Sequence, residues 1–300
     1  MDKKSSITSL MSAFVRAYHA ENAKNPIFSD TLAKRLITDS EYKAISDYIC
    51  GGIEFFAPDK KNTFKDREEE LSYLVNTFLA PTPLARAAFC ESALKTDMKS
   101  GTEQYVILGA GMDTFALRER ELKYDVFEVD HPLTQADKIS RINKAGLEAS
   151  KKLHFVGVDF TKDDLKAKLI ENGFDVNKKT FFSWLGVSMY LYRDDIEKML
   201  AALPEISPEG SSLVFDYAGA GLFLSEVPRV RCMIEMAKAG GEPMKSSFDM
   251  LSMEMLLSEY GFLAYEHIDT KEIEKRYFGD RADMLHAFED INFVHAVLKK

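Results

Sequence analysis

The chain has 300 residues, 46% hydrophobic and 29% charged, with a formal net charge of −9. That length and composition suit a globular protein with a sizeable core, and the negative balance argues against nucleic acid or an anionic membrane as the main partner. No apolar run approaches the roughly 18 residues that cross a bilayer.

The opening MDKKSSITSLMSAFVRAYHA is interrupted by serines, a threonine and Arg16, so it does not read as a secretory signal. Cys50, Cys90 and Cys232 are odd in number, scattered and in no CxxC pair, as reduced thiols of a cytoplasmic protein would be. The first hundred residues read as helical. Segment 30–38, DTLAKRLIT, opens on the N-cap residue Asp30. Segment 66–80, DREEELSYLVNTFLA, carries acids in its first turn, where the helix dipole favours them, and Pro81 and Pro83 stop it. Segment 84–95, LARAAFCESALK, follows as a further helix.

From about residue 103 short apolar runs alternate with helical stretches. Strands are expected at 105–108, 124–129, 153–158, 180–184, 212–216, 262–268 and 292–298, with helices such as 133–149 and 161–172 between the early ones. That alternation implies βαβ units and a doubly wound, mostly parallel α/β sheet. Such sheets bind ligands beyond the carboxyl ends of their strands, near the point where strand order reverses.

Three strand ends stand out. After the first comes Gly109-Ala110-Gly111-Met112-Asp113-Thr114. Its two glycines permit a tight turn and close approach of a ligand to the backbone, but Thr114 stands where the dinucleotide fingerprint wants a third glycine. A plain glycine turn is the bland alternative. After the second strand, in VFEVDHP, Asp130 lies about 20 residues past the turn, the spacing at which an acid accepts from ribose hydroxyls. It also suits a helix cap. After the third, in HFVGVDF, Asp159 can accept from an exocyclic amine and Phe160 can face a purine, or Asp159 can simply start the next helix. An acid beside the glycine turn, Asp113, would repel a pyrophosphate. A ligand with a cationic amino-acid end, a ribose and an adenine fits the three acids better, and S-adenosylmethionine is such a ligand.

The stretches VILGAGMDTFALR, FEVDHPLTQADKISRI, FVGVDF, SWLGVSMYL and GEPMKSSFD, with NPIFSDTLA and PLARAAF before them, resemble the leucine carboxyl methyltransferase family of class I S-adenosylmethionine-dependent methyltransferases, in particular its bacterial polyketide-type O-methyltransferase branch. The resemblance implies one methyltransferase domain over 1–300. A Rossmann-like core of seven strands would fill 101–300, under a helical cover from 1–100 and with an insertion at about 219–250. It implies that Gly109, Ala110, Gly111 and Asp113 line the methionine part of the cofactor, that Asp130 holds the ribose, and that Asp159 and Phe160 meet the adenine. Arg86, in LARAAF, matches an arginine that faces the cofactor carboxylate in the family, as a bidentate pair would favour; a surface helix arginine is the other reading. Lys138 matches the family pattern as a structural residue. Many members carry an acid before the glycine in the segment that reads SWLGVSMYL here; this chain has Leu185, whose backbone still passes the cofactor. Tyr190 falls at the mouth of the site as a substrate contact, or else opens a packed helix.

A carboxylate acceptor is ionised near pH 7 and needs no base, whereas a phenol with pKa near 10 does. His131 is a weak candidate base and His154 reads as structural. The histidines show no metal-ligand spacing such as HxxxH. The insertion and the N-terminal helices are expected to roof the pocket, with adaptable methionines suited to an apolar acceptor; a surface helical hairpin is the alternative. The acceptor is expected to be a small molecule, with a protein carboxylate as a further option. A nicotinamide-dependent oxidoreductase and a non-catalytic binding protein of the same fold are the competing functions.

Overall fold

The computed structural model describes residues 7–119 and 121–299. The chain runs α1 (Ile7–Asn22), α2 (Asp39–Gly51), α3 (Ile53–Phe56), α4 (Arg67–Leu74) and α5 (Pro81–Lys99) before the first strand. Then come β1 (Gln104–Leu108), α6 (Phe115–Arg118), β2 (Asp125–Asp130), α7 (Pro132–Lys144), β3 (Leu153–Gly157), α8 (Leu165–Glu171), β4 (Thr180–Trp184) and α9 (Arg193–Ile206). The last part holds β5 (Ser212–Ala218), α10 (Pro228–Ala239), α11 (Met250–Glu259), β6 (Phe262–Ile268), α12 (Thr270–Ile273) and β7 (Ile291–Leu298).

The strands form one seven-stranded sheet in the order β3-β2-β1-β4-β5-β7-β6. All neighbours are parallel except at β7, which runs antiparallel to both β5 and β6. Strands buried on both faces read as unbroken apolar runs, and QYVIL in β1 is buried throughout. Its side chains alternate: Tyr105 and Ile107 enter the core under α1 and α5, while Val106 and Leu108 enter the opposite core with Leu200 of α9 and Leu257 of α11. Strand order reverses between β1 and β4, so the crevice expected of a doubly wound sheet lies at those two tips.

Two helix expectations are corrected. After Asp30 there is only one 3₁₀ turn, Ala33–Leu36. Asp30 does accept from the N–H groups of Leu32 and Ala33, but Thr38 is extended and caps α2 in a capping box with Glu41, which ends the earlier turn. Pro81, read as a stop, is the first residue of α5, where its missing N–H and fixed φ suit a helix start. Helix α4 begins as expected, with the Asp66 carboxylate on the N–H of Glu69.

Candidate active site

A cavity of about 500 Å³ opens at the tips of β1, β2 and β4. Gly109, Ala110, Gly111 and Asp113 line it, with Arg86, Asp130, Phe160, Leu185 and Tyr190. The fold therefore brings together nine of the ten residues singled out from the sequence, and leaves Asp159 aside. The Asp159 carboxylate accepts from the N–H and hydroxyl of Thr161 and from Lys162 at 2.9 Å, which hold it well below the usual carboxylate range. It closes its own turn and does not start the next helix, which Asp164 caps.

The glycine turn is held from the side by Asp130. One carboxylate oxygen accepts from Gly111 N at 2.6 Å and the other from His131 N at 2.6 Å. Burial pushes the carboxyl up, and these two N–H groups offset part of that. A carboxylate offers about four acceptor positions, so capacity remains for a ribose diol. At Gly109 φ is +72°, and a Cβ there would stand 2.8 Å from Val187. The backbone of β1 and the segment after β4 thus meet with no room for a side chain, and a ligand in the cavity faces bare peptide groups.

Arg86 reaches across from α5. Its Nη1 donates to Asp216 at 3.0 Å, and the other Asp216 oxygen accepts from Gly186 N at 2.5 Å. Asp216 is fully buried on β5, and its carbonyl accepts from Ser188 Oγ at 2.6 Å. This one acid therefore fixes both the arginine and the turn after β4. Gly186 has φ +68°, and a Cβ there would lie 2.5 Å from Arg86 Nη1 and Nη2. Sequence reasoning missed Asp216. Its signal is a lone acid in the buried run SLVFDYA, since a buried charge needs a partner.

Tyr190 lines the cavity beside Arg86, and burial, above other causes, pushes its hydroxyl up to about 12. Phe160 stands at the rim with its ring about half exposed (47%). His131 also lines the cavity, but its Nδ1 accepts from Leu133 N at 3.3 Å and so caps α7. The deep end reaches Tyr105 and Ser183, whose hydroxyls bond at 2.9 Å, and Cys90 and Glu91 on α5. Glu91 and Arg118, both missed from the sequence, form an ion pair there.

Thr8, Ser9, Ser12 and Arg16 of α1 cover one side, and Gly241, Glu242, Pro243 and Lys245 of the late insertion cover another. Arg16 donates to Asp30 at 2.9 Å and to the carbonyl of Met112 at 2.7 Å, which ties α1 to the glycine turn. The segment after Pro243 is fixed to the turn after β4, with Lys245 N donating to Met189 O at 2.8 Å. The expectation that insertion methionines face the acceptor is corrected. Met233 and Met236 pack against the core and Met244 is buried, whereas the insertion residues at the cavity are a glycine, a proline and two charged side chains.

Lys138 and His154 sit outside the cavity. Lys138 is buried against Glu128. His154 bonds to Asp125 at 2.9 Å and stacks on Phe127.

Residues 9–203 match the sequence model of the leucine carboxyl methyltransferase family. YktD of Bacillus subtilis (strain 168), named as an S-adenosyl-L-methionine-dependent methyltransferase, is 45% identical over 301 residues, 99% of each chain. Two solved structures share the fold. A DUF574 family protein from Streptomyces avermitilis superimposes with TM-score 0.56 at 14% identity, covering 96% of this chain and 97% of that one. A Thermobifida fusca protein named as a methyltransferase gives 0.54 at 12% identity, covering 100% and 97%. The family match and the cofactor in the relative's name overturn the nicotinamide alternative. With its glycine turn, its ribose-spaced acid and a family match over residues 9–203, the chain belongs to the leucine carboxyl methyltransferase family and is an S-adenosylmethionine-dependent methyltransferase.

Proposed function

We propose that the chain methylates an oxygen of a small molecule, with a carboxylate as the first choice of acceptor and a hydroxyl as the second. The observation that carries this reading is the chemistry of the corner beside Gly186. Tyr190 keeps its proton there, since its hydroxyl is pushed up to about 12. Arg86 carries five N–H donors as any guanidinium does, and among the described residues it makes one hydrogen bond, to Asp216. Groups of this kind orient an oxyanion and do not deprotonate a hydroxyl. A carboxylate arrives ionised near pH 7, while a phenol with pKa of about 10 needs a base.

Bound S-adenosylmethionine supplies an electrophilic methyl group. Asp130, the glycine turn and Arg86 hold and orient the cofactor. Tyr190 and the spare Arg86 donors hold the acceptor oxygen, and α1 with the 241–245 segment keeps water out. The polar lining of that cover favours a polar acceptor over a purely apolar one.

The test is transfer of radiolabelled methyl to a panel of small carboxylic acids and phenols, followed by mild alkali. Alkali-labile label marks a methyl ester and is the expected result. Alkali-stable label marks an ether and a hydroxyl acceptor. Label on neither panel would contradict both choices and leave a protein carboxylate as the acceptor.

A further inference from the structure

One face of α5 lines the deep half of the cavity through Pro83, Arg86, Ala87, Cys90 and Glu91, the spacing of a single helical stripe. Arg86 and Glu91 are five positions apart, so about 7.5 Å along the helix axis. One stripe therefore presents a cation near the tip of β4 and an anion deeper in.

The charges around Glu91 do not balance. Arg118 pairs with Glu91 and lies 3.6 Å from Asp30. Arg16 pairs with Asp30 at 2.9 Å. Asp113 accepts a single hydrogen bond, from Phe115 N at 2.6 Å, and has no cation within 4.0 Å among the described residues. Three carboxylates face two guanidiniums, and all five side chains line the cavity. Among the described residues, this end of the site is one positive charge short.

We propose that Glu91, with Asp113 opposite it, is the group that reads the ammonium of the cofactor's amino-acid end, while Arg86 on the same helix stripe reads its carboxylate. The zwitterion then lies along α5 with each charge beside its opposite. Burial, reinforced by the neighbouring Asp113, pushes the Glu91 carboxyl up. An arriving ammonium offsets both causes. Glu91 is a cofactor-specificity residue on this reading. The inference rests on the cofactor alone, so it holds for whichever acceptor the cavity takes.

Two ligands with the same nucleoside separate the idea from a structural role: S-adenosylhomocysteine, which keeps the amino-acid end, and 5′-methylthioadenosine, which lacks it. By isothermal titration, Glu91→Gln should weaken S-adenosylhomocysteine about 10- to 100-fold, the worth of one charge-assisted bond, and leave methylthioadenosine within about 2-fold. Asp113→Asn keeps the oxygen that accepts from Phe115 N and should show the same selective loss, so the test survives if Glu91→Gln folds poorly. Equal weakening of both ligands, or of neither, in the folded variants overturns the proposal. If the unmodified chain binds neither ligand, the cofactor assignment itself fails, and the proposal with it.

Discussion

Gly186→Ala tests how the turn after β4 and Arg86 depend on each other. The residue sits at φ +68°, and an added Cβ would meet the guanidinium at 2.5 Å. An alanine in the left-handed region costs about 1–2 kcal/mol. The guanidinium is the free end of a long side chain, so it swings away rather than straining the backbone. Its bond to the fully buried Asp216 is then lost, at about 1.5–3 kcal/mol for a charged partner. The sum is about 2.5–5 kcal/mol, or a fall in Tm on the order of 10 °C. Arg86→Met alone removes the same ion pair. In the double variant Gly186→Ala adds only its backbone cost, so thermal melts of the cycle should give a coupling energy of about 1.5–3 kcal/mol. Additivity within about 0.5 kcal/mol would refute the reasoning, because the methyl group would then be acting without displacing Arg86.

Other outcomes follow from the same geometry. Phe160→Ala should leave stability nearly unchanged, because the ring is 47% exposed, yet weaken S-adenosylhomocysteine by the worth of a base–aromatic stack, about 1–3 kcal/mol. Asp159→Ala should change that affinity less than about 3-fold, since its carboxylate is committed to Thr161 and Lys162; a loss as large as that of Asp130→Ala would place it in the adenine site after all. His19 is buried, and its Nε2 accepts from Ile27 N at 3.0 Å, so it must stay neutral in the folded chain. Burial first, and then Arg281, lowers its pKa from 6.5 to about 4. The unfolded chain binds the extra proton between those values, so stability falls as pH drops from about 6.5 toward 4, by up to about 3 kcal/mol. Urea melts at pH 7 and pH 5 should show this drop reduced in His19→Gln, and an unchanged drop would assign it to other groups. Lys138→Met strands Glu128 in the core and should cost about 3–5 kcal/mol in denaturant unfolding; a neutral result would mean that Glu128 is protonated there.

All seven strands were legible because each is a short apolar run set off by turn residues, and β1 in particular ends abruptly at Gly109. The glycine turn and Asp130 were legible because their spacing along one βαβ unit translates directly into proximity. Asp216 was not, since its partners Arg86 and Gly186 lie 130 and 30 positions away and nothing local marks them. Glu91 and Arg118 look like ordinary polar residues of two helices until the fold packs those helices against one cavity. Asp30 reads as a cap from its neighbours alone. Its ion pair with Arg16 depends on where α1 comes to rest, which local pattern does not encode. Asp159 shows the reverse: a well-placed acid whose own turn satisfies it first.

A crystal structure of the chain with S-adenosylhomocysteine bound addresses the central claim directly. The nucleoside should lie across the tips of β1, β2 and β4, with its ribose hydroxyls on the Asp130 carboxylate and its adenine against Phe160. A ribose turned away from Asp130, or a ligand lodged elsewhere while this cavity stays filled by protein side chains, would contradict it.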